Sequence, residues 1–503
     1  MSRIRIGWAS RDVSTKDPIN IPGQFHMRIS RGVLDPVTAT ALVLENDGDA
    51  VCFVSMDAVC VEAELVPEVR DLAAKLVPEL DPEKIVLNAT HTHDGPGHNS
   101  ATLDFAKTTP AGPIPTTMKI ADSNAYRHKL ARTIAEMVRE AWEGRAPGGI
   151  AYGYGYAVVA HSRRVVYFDD LSKRPGEIIN STGGVNGHAA MYGNTNDPKF
   201  SGYEAGADHF INLLYTFDAK GKLTGAVVNV PCPSQNSEQL FQLSASFWHE
   251  TRQRIRKKHG DIFILPQCAA GGDLAPRILH YKQAQARRFR LKYGENEPFE
   301  EAFARADIAE RISAAFDEVY AWAKKEILRD AVVKHEVRTV NLAKRLITEA
   351  EYKDAVAGLA KLAKEKYVSE KGDKVAALKA NSQLVSGRSR YAQIIRRYKE
   401  QQTQPKLPVE VHAVRVGDIA FATNRFELYM DFMHRIQARS PFIQTFIVQL
   451  CGVPGKGHGS YLATKRGAAN RGYSASRYCN LVSPQGGQQL VEASLKMLNK
   501  LAK

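Results

Sequence analysis

Short apolar runs bounded by turn residues alternate with longer amphipathic segments along the whole chain. The runs at 37–45 and 50–55 are rich in β-branched residues and flank an Asn-Asp-Gly turn, which predicts a β-hairpin. The same pattern predicts two more hairpins, at 210–230 and 411–423. Locally paired antiparallel strands are therefore a main component of the predicted structure.

Apolar residues at helical spacing predict several helices between these strands, at 64–76, 124–142, 300–328, 349–364, 374–400 and 488–501. Helices and strands alternate, but local hairpins are not typical of a doubly wound parallel sheet. We therefore predict an α/β (mixed α+β) fold, in which helices cover mixed β-sheets.

The composition is that of an ordinary globular protein, with 44% hydrophobic and 24% charged residues in 503. This length favours one large domain with insertions, or two domains; we predict a single domain over 1–503. The start of the chain has no apolar run long enough for a signal peptide, and no segment has the pattern of a membrane span. The six cysteines are scattered without a CxxC pair, which is typical of reduced thiols and predicts a cytoplasmic protein.

Positive charge is concentrated in one part of the chain. The net charge is +14, and residues 344–406 contain 15 basic and 7 acidic residues. Such a segment could bind an anionic substrate, nucleic acid or a membrane surface, or it could be the solvated face of a helical insertion. Its basic residues are not interleaved with stacking aromatics, so we predict a helical insertion and no nucleic-acid partner.

A His-x-His motif follows a predicted buried strand at 85–89. If the strand continues through the motif, His91 and His93 project from one face, about 6.5–7 Å apart along the backbone. One imidazole could bind a metal while the other meets a metal-bound water or the substrate. The Gly-Pro-Gly sequence at 95–97 turns the chain sharply and would let a ligand approach the backbone.

This motif, Thr-His-Thr-His before Gly-Pro-Gly, resembles the Thr-His-Thr-His-Ser-Gly-Pro-Gly sequence of the neutral ceramidases. Together with it, six further segments resemble elements of that family and occur in the family's order: Phe25-His26-Met27-Arg28, Val54-Ser55-Met56-Asp57, Ser162-Arg163-Arg164, Gly271-Gly272-Asp273-Leu274-Ala275-Pro276, Arg425-Phe426-Glu427 and Ser460-Tyr461-Leu462-Ala463-Thr464. The resemblance covers essentially the whole chain, and it implies the fold of the ceramidase catalytic domain.

The resemblance also implies one zinc ion, with His91, Glu427 and Tyr461 among its ligands. It implies that His93 handles a proton and that Tyr461 is a ligand or stabilises an oxyanion. Zinc suits this mixed set of nitrogen and oxygen donors, although another divalent ion could be bound. Among the matched motifs we assign Arg163 and Asp273 as further catalytic candidates. Substrate-binding candidates are His26, Arg28, Asp57, Arg164, Cys232 and Gln235.

Some of these candidates have a second interpretation. Arg163 and Arg164 could clamp a carboxylate or phosphate, but at least one of them could form a structural ion pair. Asp273 could bind a cation or hold a catalytic group, yet Gly-Asp is also common in turns. Glu427 is expected to begin a helix, where a carboxylate is favoured in any case.

The second histidine ligand of the family has no counterpart, because the matching segment is Pro231-Cys232-Pro233. Counting back from the hairpin turn places His209 beside this segment, about 5 Å away on the neighbouring strand. We therefore predict that His209 points into the pocket of His91 and His93. Cys232 is the competing replacement ligand, and loss of the metal is the third possibility.

Two departures from the family bear on the substrate. The secreted ceramidases continue into a C-terminal β-sandwich domain, which is not expected here, and the basic insertion is an addition. We therefore predict hydrolysis of an amide-like bond in a small polar or anionic molecule rather than in a membrane lipid. The alternatives are an esterase, lactonase or glycoside hydrolase with the same metal site, and a non-catalytic binding protein. The oligomeric state is left open.

Overall fold

The structure is a computed structural model that describes residues 3–98, 114–175, 186–454 and 460–503. Its strands are β1 (Arg5–Asp12), β2 (Thr38–Asn46), β3 (Asp49–Met56), β4 (Ile85–Ala89), β5 (Ala146–Tyr156), β6 (His161–Ser162), β7 (Arg164–Tyr167), β8 (Ala189–Met191), β9 (Phe200–Tyr203), β10 (Phe210–Asp218), β11 (Leu223–Val230), β12 (Phe263–Cys268), β13 (Leu274–Ala275), β14 (Val333–Ala343), β15 (Lys406–Val416), β16 (Ile419–Thr423), β17 (Glu427–Leu428), β18 (Gln444–Val448) and β19 (Tyr461–Leu462). Its α-helices are α1 (Leu65–Leu76), α2 (Ser123–Glu143), α3 (Phe247–His259), α4 (Lys282–Tyr293), α5 (Ala302–Ala323), α6 (Glu349–Ala363), α7 (Lys374–Glu400), α8 (Met430–Gln437), α9 (Lys465–Asn470) and α10 (Pro484–Leu501).

Two sheets form the centre of the molecule. The larger has eight strands in the order β12-β11-β10-β5-β1-β2-β3-β4, and the smaller has four in the order β14-β15-β16-β18. Most neighbours are antiparallel, whereas the pairs β3–β4, β11–β12 and β16–β18 are parallel. The predicted mixed α/β fold is confirmed.

Alternation along the strands divides the core into layers. In β3, Cys52 and Val54 face the apolar cluster formed with α1 and α2, whereas Val51 and Phe53 face the smaller sheet. Phe53 contacts Phe421 of β16 there, with ring centroids 4.8 Å apart. Helices α3 and α5 cover the other half of the large sheet, and α8 and α10 cover the small one. The two sheets therefore pack face to face between helical layers.

The first predicted hairpin shows how local sequence determines this sheet. Asp47 and Gly48 both have positive φ, 53° and 77°, as a two-residue turn of the type favoured by Asn-Gly and Asp-Gly requires. Residue Asn46 then pairs with Asp49, and β2 and β3 remain in register to the pair Ala39–Met56.

Helices α6 and α7 leave the small sheet between β14 and β15, which pair without interruption from Val333–Val416 to Ala343–Lys406. The segment with these two helices does not disturb the sheet, because it connects the end of β14 to the start of β15, and these two strand ends are paired with each other. Within the described ranges, no helix is long and apolar enough to cross a membrane.

Candidate active site

A cavity of about 300 Å³ opens beside the carboxyl ends of β3 and β4, next to the His-x-His motif. Polar groups converge at one end of it, and apolar and aromatic side chains form much of the rest. The residues that line it are Asn20, Pro22, Gly23, Gln24, Phe25, His26, Met27, Val59, Cys60, Glu62, His91, His93, Ile114, Ser382, Ser386, Glu427, Leu450, Tyr461 and Tyr473.

His91 is held in a strained backbone conformation just after β4. Its φ is 65°, a left-handed value that a residue with a Cβ rarely adopts. The ring Nδ1 lies 2.6 Å from the carbonyl oxygen of Val59, which makes Nδ1 the protonated nitrogen and leaves the lone pair on Nε2. That Nε2 is 3.3 Å from Oε2 of Glu427. When the ring is neutral, the backbone thus aims its lone pair at a carboxylate.

His93 meets His91 by a different route from the one predicted. Strand β4 ends at Ala89, so the motif does not continue the strand, and the left-handed turn at His91 brings the two rings together instead. Their centroids are 4.9 Å apart and their Nε2 atoms 3.4 Å apart. The expected alternation along an extended strand is therefore wrong, although both imidazoles reach one pocket.

The other nitrogen of His93 faces a carboxylate that sequence reasoning missed. Oε2 of Glu238 lies 3.0 Å from Nδ1 of His93, and Arg277 donates to the second oxygen of Glu238 at 2.7 Å. Burial lowers the pKa of His93, and Glu238 opposes this effect. Burial alone would raise the pKa of Glu238, but its contacts with His93 and Arg277 lower it to about 2. An ionised Glu238 therefore orients the His93 ring.

Glu427 and Tyr461 are neighbours because their backbones pair. They are register partners in the two-residue parallel ladder of β17 and β19. Glu427 thus lies in a short strand, and the predicted helix start is wrong, since α8 begins at Met430. Burial would raise the pKa of Glu427, but the positive charge that His91 carries when its ring is protonated, together with the Arg163 guanidinium, lowers it to about 2. Burial raises the pKa of Tyr461 well above its usual value, which keeps the phenol protonated.

Arg163 is fully buried behind this pair. It donates to the hydroxyl of Tyr461 at 3.2 Å and lies 3.6 Å from the carboxylate of Glu427. It also donates to the side-chain oxygen of Gln235 at 3.1 Å, and the amide nitrogen of Gln235 lies 2.8 Å from Nε2 of His93. Because its oxygen accepts from Arg163, Gln235 presents its NH₂ group to His93. One polar network therefore connects all of these groups.

The donor set suits a divalent cation in part. Two atoms bound tetrahedrally to zinc at about 2.0–2.1 Å are about 3.3 Å apart, and Nε2 of His91 and Oε2 of Glu427 have this separation of 3.3 Å. Both atoms are acceptors, so a cation between them would relieve their repulsion. Across the four described ranges, no group of three His, Cys, Asp or Glu side chains has metal-binding geometry. Tyr461 is the third donor at this point.

His209 does not reach the pocket, contrary to prediction. The register of β10 and β11 does extrapolate from the pair Asn212–Asn229 to place it opposite Cys232. However, His209 lies two residues before Ile211 and four before Leu213, so its side chain is on the same side of the chain as theirs. Those side chains face α5, and the neighbour of His209 is His161. A side chain on that face points away from the cavity, because successive strand residues alternate.

Cys232 is also outside the cavity wall. Its thiol is buried and contacts the carbonyl oxygen of Val159 at 3.4 Å, and burial raises its pKa well above the ordinary value. A thiol in this environment is a poor source of the thiolate that zinc requires. Neither replacement that the sequence suggests for the missing histidine lies with the other donors.

Three predicted substrate-binding residues form buried ion pairs instead of lining the cavity. Asp57 accepts two bonds from Arg252 at 2.7 and 3.1 Å. Arg164 forms a two-point contact with Glu204 at 2.7 and 2.9 Å. Arg28, the third, lies 3.3 Å from Asp94 and donates to the backbone oxygen of His93.

Asp273 has a supporting position behind the site rather than a place in it. Its side chain accepts a bond from the backbone nitrogen of Met430 at 3.0 Å, and its carbonyl oxygen accepts from the backbone nitrogen of Arg163 at 3.1 Å. Burial raises the pKa of Asp273 to about 6. This residue therefore connects the start of α8 to the segment that positions Arg163.

No protein-family model and no curated protein sequence matches the chain. Solved structures do resemble it. Neutral ceramidase from Pseudomonas aeruginosa superposes with a TM-score of 0.65 at 16% identity, over 100% of this chain and 75% of that one. A ceramidase complexed with C2 superposes with a TM-score of 0.61 at 15% identity, over 100% of this chain and 76% of that one. The chain therefore has the neutral-ceramidase fold, and the fold implied by its motifs is confirmed.

Proposed function

We propose that the protein is a hydrolase that cleaves an amide-like bond with an activated water. One observation supports this most: His91, His93, Glu427 and Tyr461 converge at the inner end of one cavity, backed by a buried guanidinium. A base, a hydroxyl group that can donate a hydrogen bond and a fixed positive charge are groups that hydrolysis of an amide can use.

The residues have separable roles in this proposal. His93, with its ring oriented by Glu238, is the base: the attacking water takes the place of the Gln235 amide at Nε2, and Nε2 accepts its proton. The hydroxyl of Tyr461, which receives a bond from Arg163, either donates to the oxygen on which negative charge develops or binds the ion described below. Gln235 bonds both His93 and Arg163 in the resting site, which sets the position of the base relative to the oxyanion stabiliser before the reaction.

A divalent ion, zinc by preference, would be held by His91, Glu427 and Tyr461. When bound, it would lower the pKa of a coordinated water and polarise a carbonyl group. What supports such an ion is the tautomer of His91, whose Nδ1 is occupied by Val59 while Nε2 faces the carboxylate of Glu427. The remaining positions around the ion would be taken by water or substrate.

The cavity favours a small substrate. Its volume of about 300 Å³ is at the lower end of the range for sites that hold drug-sized ligands. A two-chain lipid is too large to be enclosed by it. We propose an amide as the bond because of the similarity to the ceramidases named above, and we propose a small substrate because of the volume of the cavity.

The test combines metal analysis with hydrolysis of short N-acyl amides. Purified protein should contain one equivalent of metal and release the acid. His91→Ala should lose both metal and activity, whereas His93→Ala should keep the metal and lose activity by about 10²–10⁴-fold. Stoichiometric metal without hydrolysis of any amide, with esters or lactones cleaved instead, would assign a different bond. Metal-free protein without any hydrolysis would indicate a binding protein.

A further inference from the structure

Helix α7 of the basic insertion forms part of the cavity wall. Ser382 and Ser386, one helical turn apart, line the cavity together with the loop at 20–27. The hydroxyl of Ser382 accepts a bond from the backbone nitrogen of Met27 at 3.0 Å, which ties the helix to this loop. The insertion therefore borders the site although it lies far from it in sequence.

The face of α7 that meets the loop has a cation at each end. Lys379, Ser382, Ser386 and Arg390 follow one another at intervals of three, four and four residues, so they lie along one face over about 16 Å. The guanidinium of Arg390 lies over the ring of Phe25, 4.7 Å from its centroid. Phe25 itself lines the cavity.

The field of Lys379 reaches the cavity wall. His26 lines the cavity, and its pKa is lowered to about 4, first by burial and then by the charges of Lys379 and Arg28. Lys379 is exposed and has no carboxylate partner in the part of the chain that the structure describes. Helix α7 offers none nearby, since Glu400 at its end is its only acidic residue.

The charged groups around the cavity are thus arranged unevenly. Glu427 lies beside His91, whereas Lys379 and Arg390 flank the face of α7 whose Ser382 and Ser386 line the cavity. A neutral substrate would gain nothing from this arrangement. An amide with an anionic group on its outer side would be aligned by it, with the negative group held away from the carboxylate of Glu427.

We propose that Lys379, one helical turn before Ser382 in the cavity wall, is the cation of an outer subsite that binds a carboxylate of a small soluble amide substrate. The inference rests on the proposed function, because it concerns the same cavity. It also assigns a role to the insertion: the insertion selects the substrate by charge and limits its length.

The test uses N-hexanoylglycine, which is anionic, and its neutral N-methylamide. Binding of each is measured by calorimetry, and release of hexanoate is measured separately. The wild type should prefer the anionic compound at least tenfold, and Lys379→Glu should abolish that preference, because like charges at a binding site repel. Lys399→Glu makes the same charge change on the exposed last turn of α7 and should leave the preference intact. High salt should weaken the preference of the wild type.

The two proposals fail separately in this design. Selective binding of N-hexanoylglycine without release of hexanoate would contradict the amidase and support the subsite. Equal binding of both compounds by the wild type would overturn the subsite, and so would an equal loss in both variants. A parallel measurement with phosphatidylglycerol vesicles tests the other source of anions. If Lys379→Glu weakened only vesicle binding, a lipid surface would replace the soluble carboxylate, and the proposal would be wrong.

Discussion

Adjacent residues of this protein have side chains in different environments, and Arg163 and Arg164 illustrate this best. Arg163 contacts Tyr461 and Gln235 in the candidate site, whereas Arg164 is paired with Glu204 on the opposite side of the chain. Sequence alone assigned both to the site. The motif identifies a pair of arginines, but the direction of each side chain depends on the backbone, which turns between β6 and β7.

At this scale Glu238 provides the sharpest prediction. Glu238→Gln removes the charge that orients His93 but retains the shape, so we expect kcat to fall about 10–100-fold with little change in KM. The matched control is Glu301→Gln, because Glu301 contacts the far side of Arg277 and not the imidazole. Steady-state kinetics on short N-acyl amides measures both variants. Equal loss in both variants, or a change in KM alone, would contradict the orienting role.

Asp273 provides a prediction on stability and pH. Its pKa is raised to about 6 from an ordinary value of 3.8, so the folded protein binds the proton more tightly than the unfolded chain does. Stability from this group is therefore fully present below pH 4 and lost as the pH rises through 6, by about 3 kcal/mol in total. The free energy of unfolding of Asp273→Asn, relative to wild type, should rise by up to that amount between pH 4 and 7.5. Urea titrations at several pH values measure it, and a pH-independent difference would contradict the shift.

At the scale of elements, the site depends on the two-residue ladder of β17 and β19. The hairpin strands and six of the helices were predictable from sequence, because each repeats its apolar pattern over several residues, whereas β1, β5, β14 and α4 were not predicted. A strand of two residues has no period, so Glu427 was assigned to a helix instead. A related limit explains His209. The hairpin register correctly placed it opposite Cys232, just before β10, but a shift of one residue decides which side of the sheet its side chain faces.

The close approach of Gly272 to β17 gives a prediction at this scale. A Cβ at Gly272 would lie 2.4 Å from the backbone oxygen of Glu427, whereas the nearest atom to one at Gly271 would be Cδ of Pro233 at 3.2 Å, with Gln449 at 3.6 Å. Gly272→Ala must therefore displace the strand that holds Glu427. We expect the free energy of unfolding to fall by about 1–3 kcal/mol and activity to be lost. Gly271→Ala is the control and should be close to wild type in thermal unfolding and in activity.

For the whole molecule, a series of buried polar contacts connects α1, the small sheet and strand β3 of the large sheet. Arg70 of α1 makes a two-point contact with Glu410, which lies 3.1 Å from His412. His412 in turn lies 2.9 Å from His335, whose other nitrogen is 3.3 Å from the carbonyl oxygen of Ala50 in β3. Three layers of the fold thus meet through two neutral imidazoles.

The two buried histidines in this series of contacts predict how the stability of the whole protein responds to acid. Burial lowers the pKa of both His335 and His412, so the unfolded state binds more protons than the folded state below about pH 6.5. Stability should therefore fall with pH below that value, by up to about 1.4 kcal/mol per pH unit for each histidine. The double variant His335→Gln/His412→Gln should have a smaller slope between pH 6.5 and 5. His128→Gln, at an exposed position, should retain the wild-type slope; equal slopes in all three proteins would contradict the prediction.

The pairing of Glu427 with Tyr461 also bears on when the protein becomes active during its synthesis. His91 is translated early, but the backbone partner that places Glu427 beside it comes 34 residues after Glu427 and 370 after His91. A ribosome-bound chain can complete its large sheet well before that partner has left the exit tunnel. Hydrolytic activity would therefore begin only after Tyr461 has left the ribosome, and premature termination shortly before Tyr461 would give a chain with most of its core and an incomplete site.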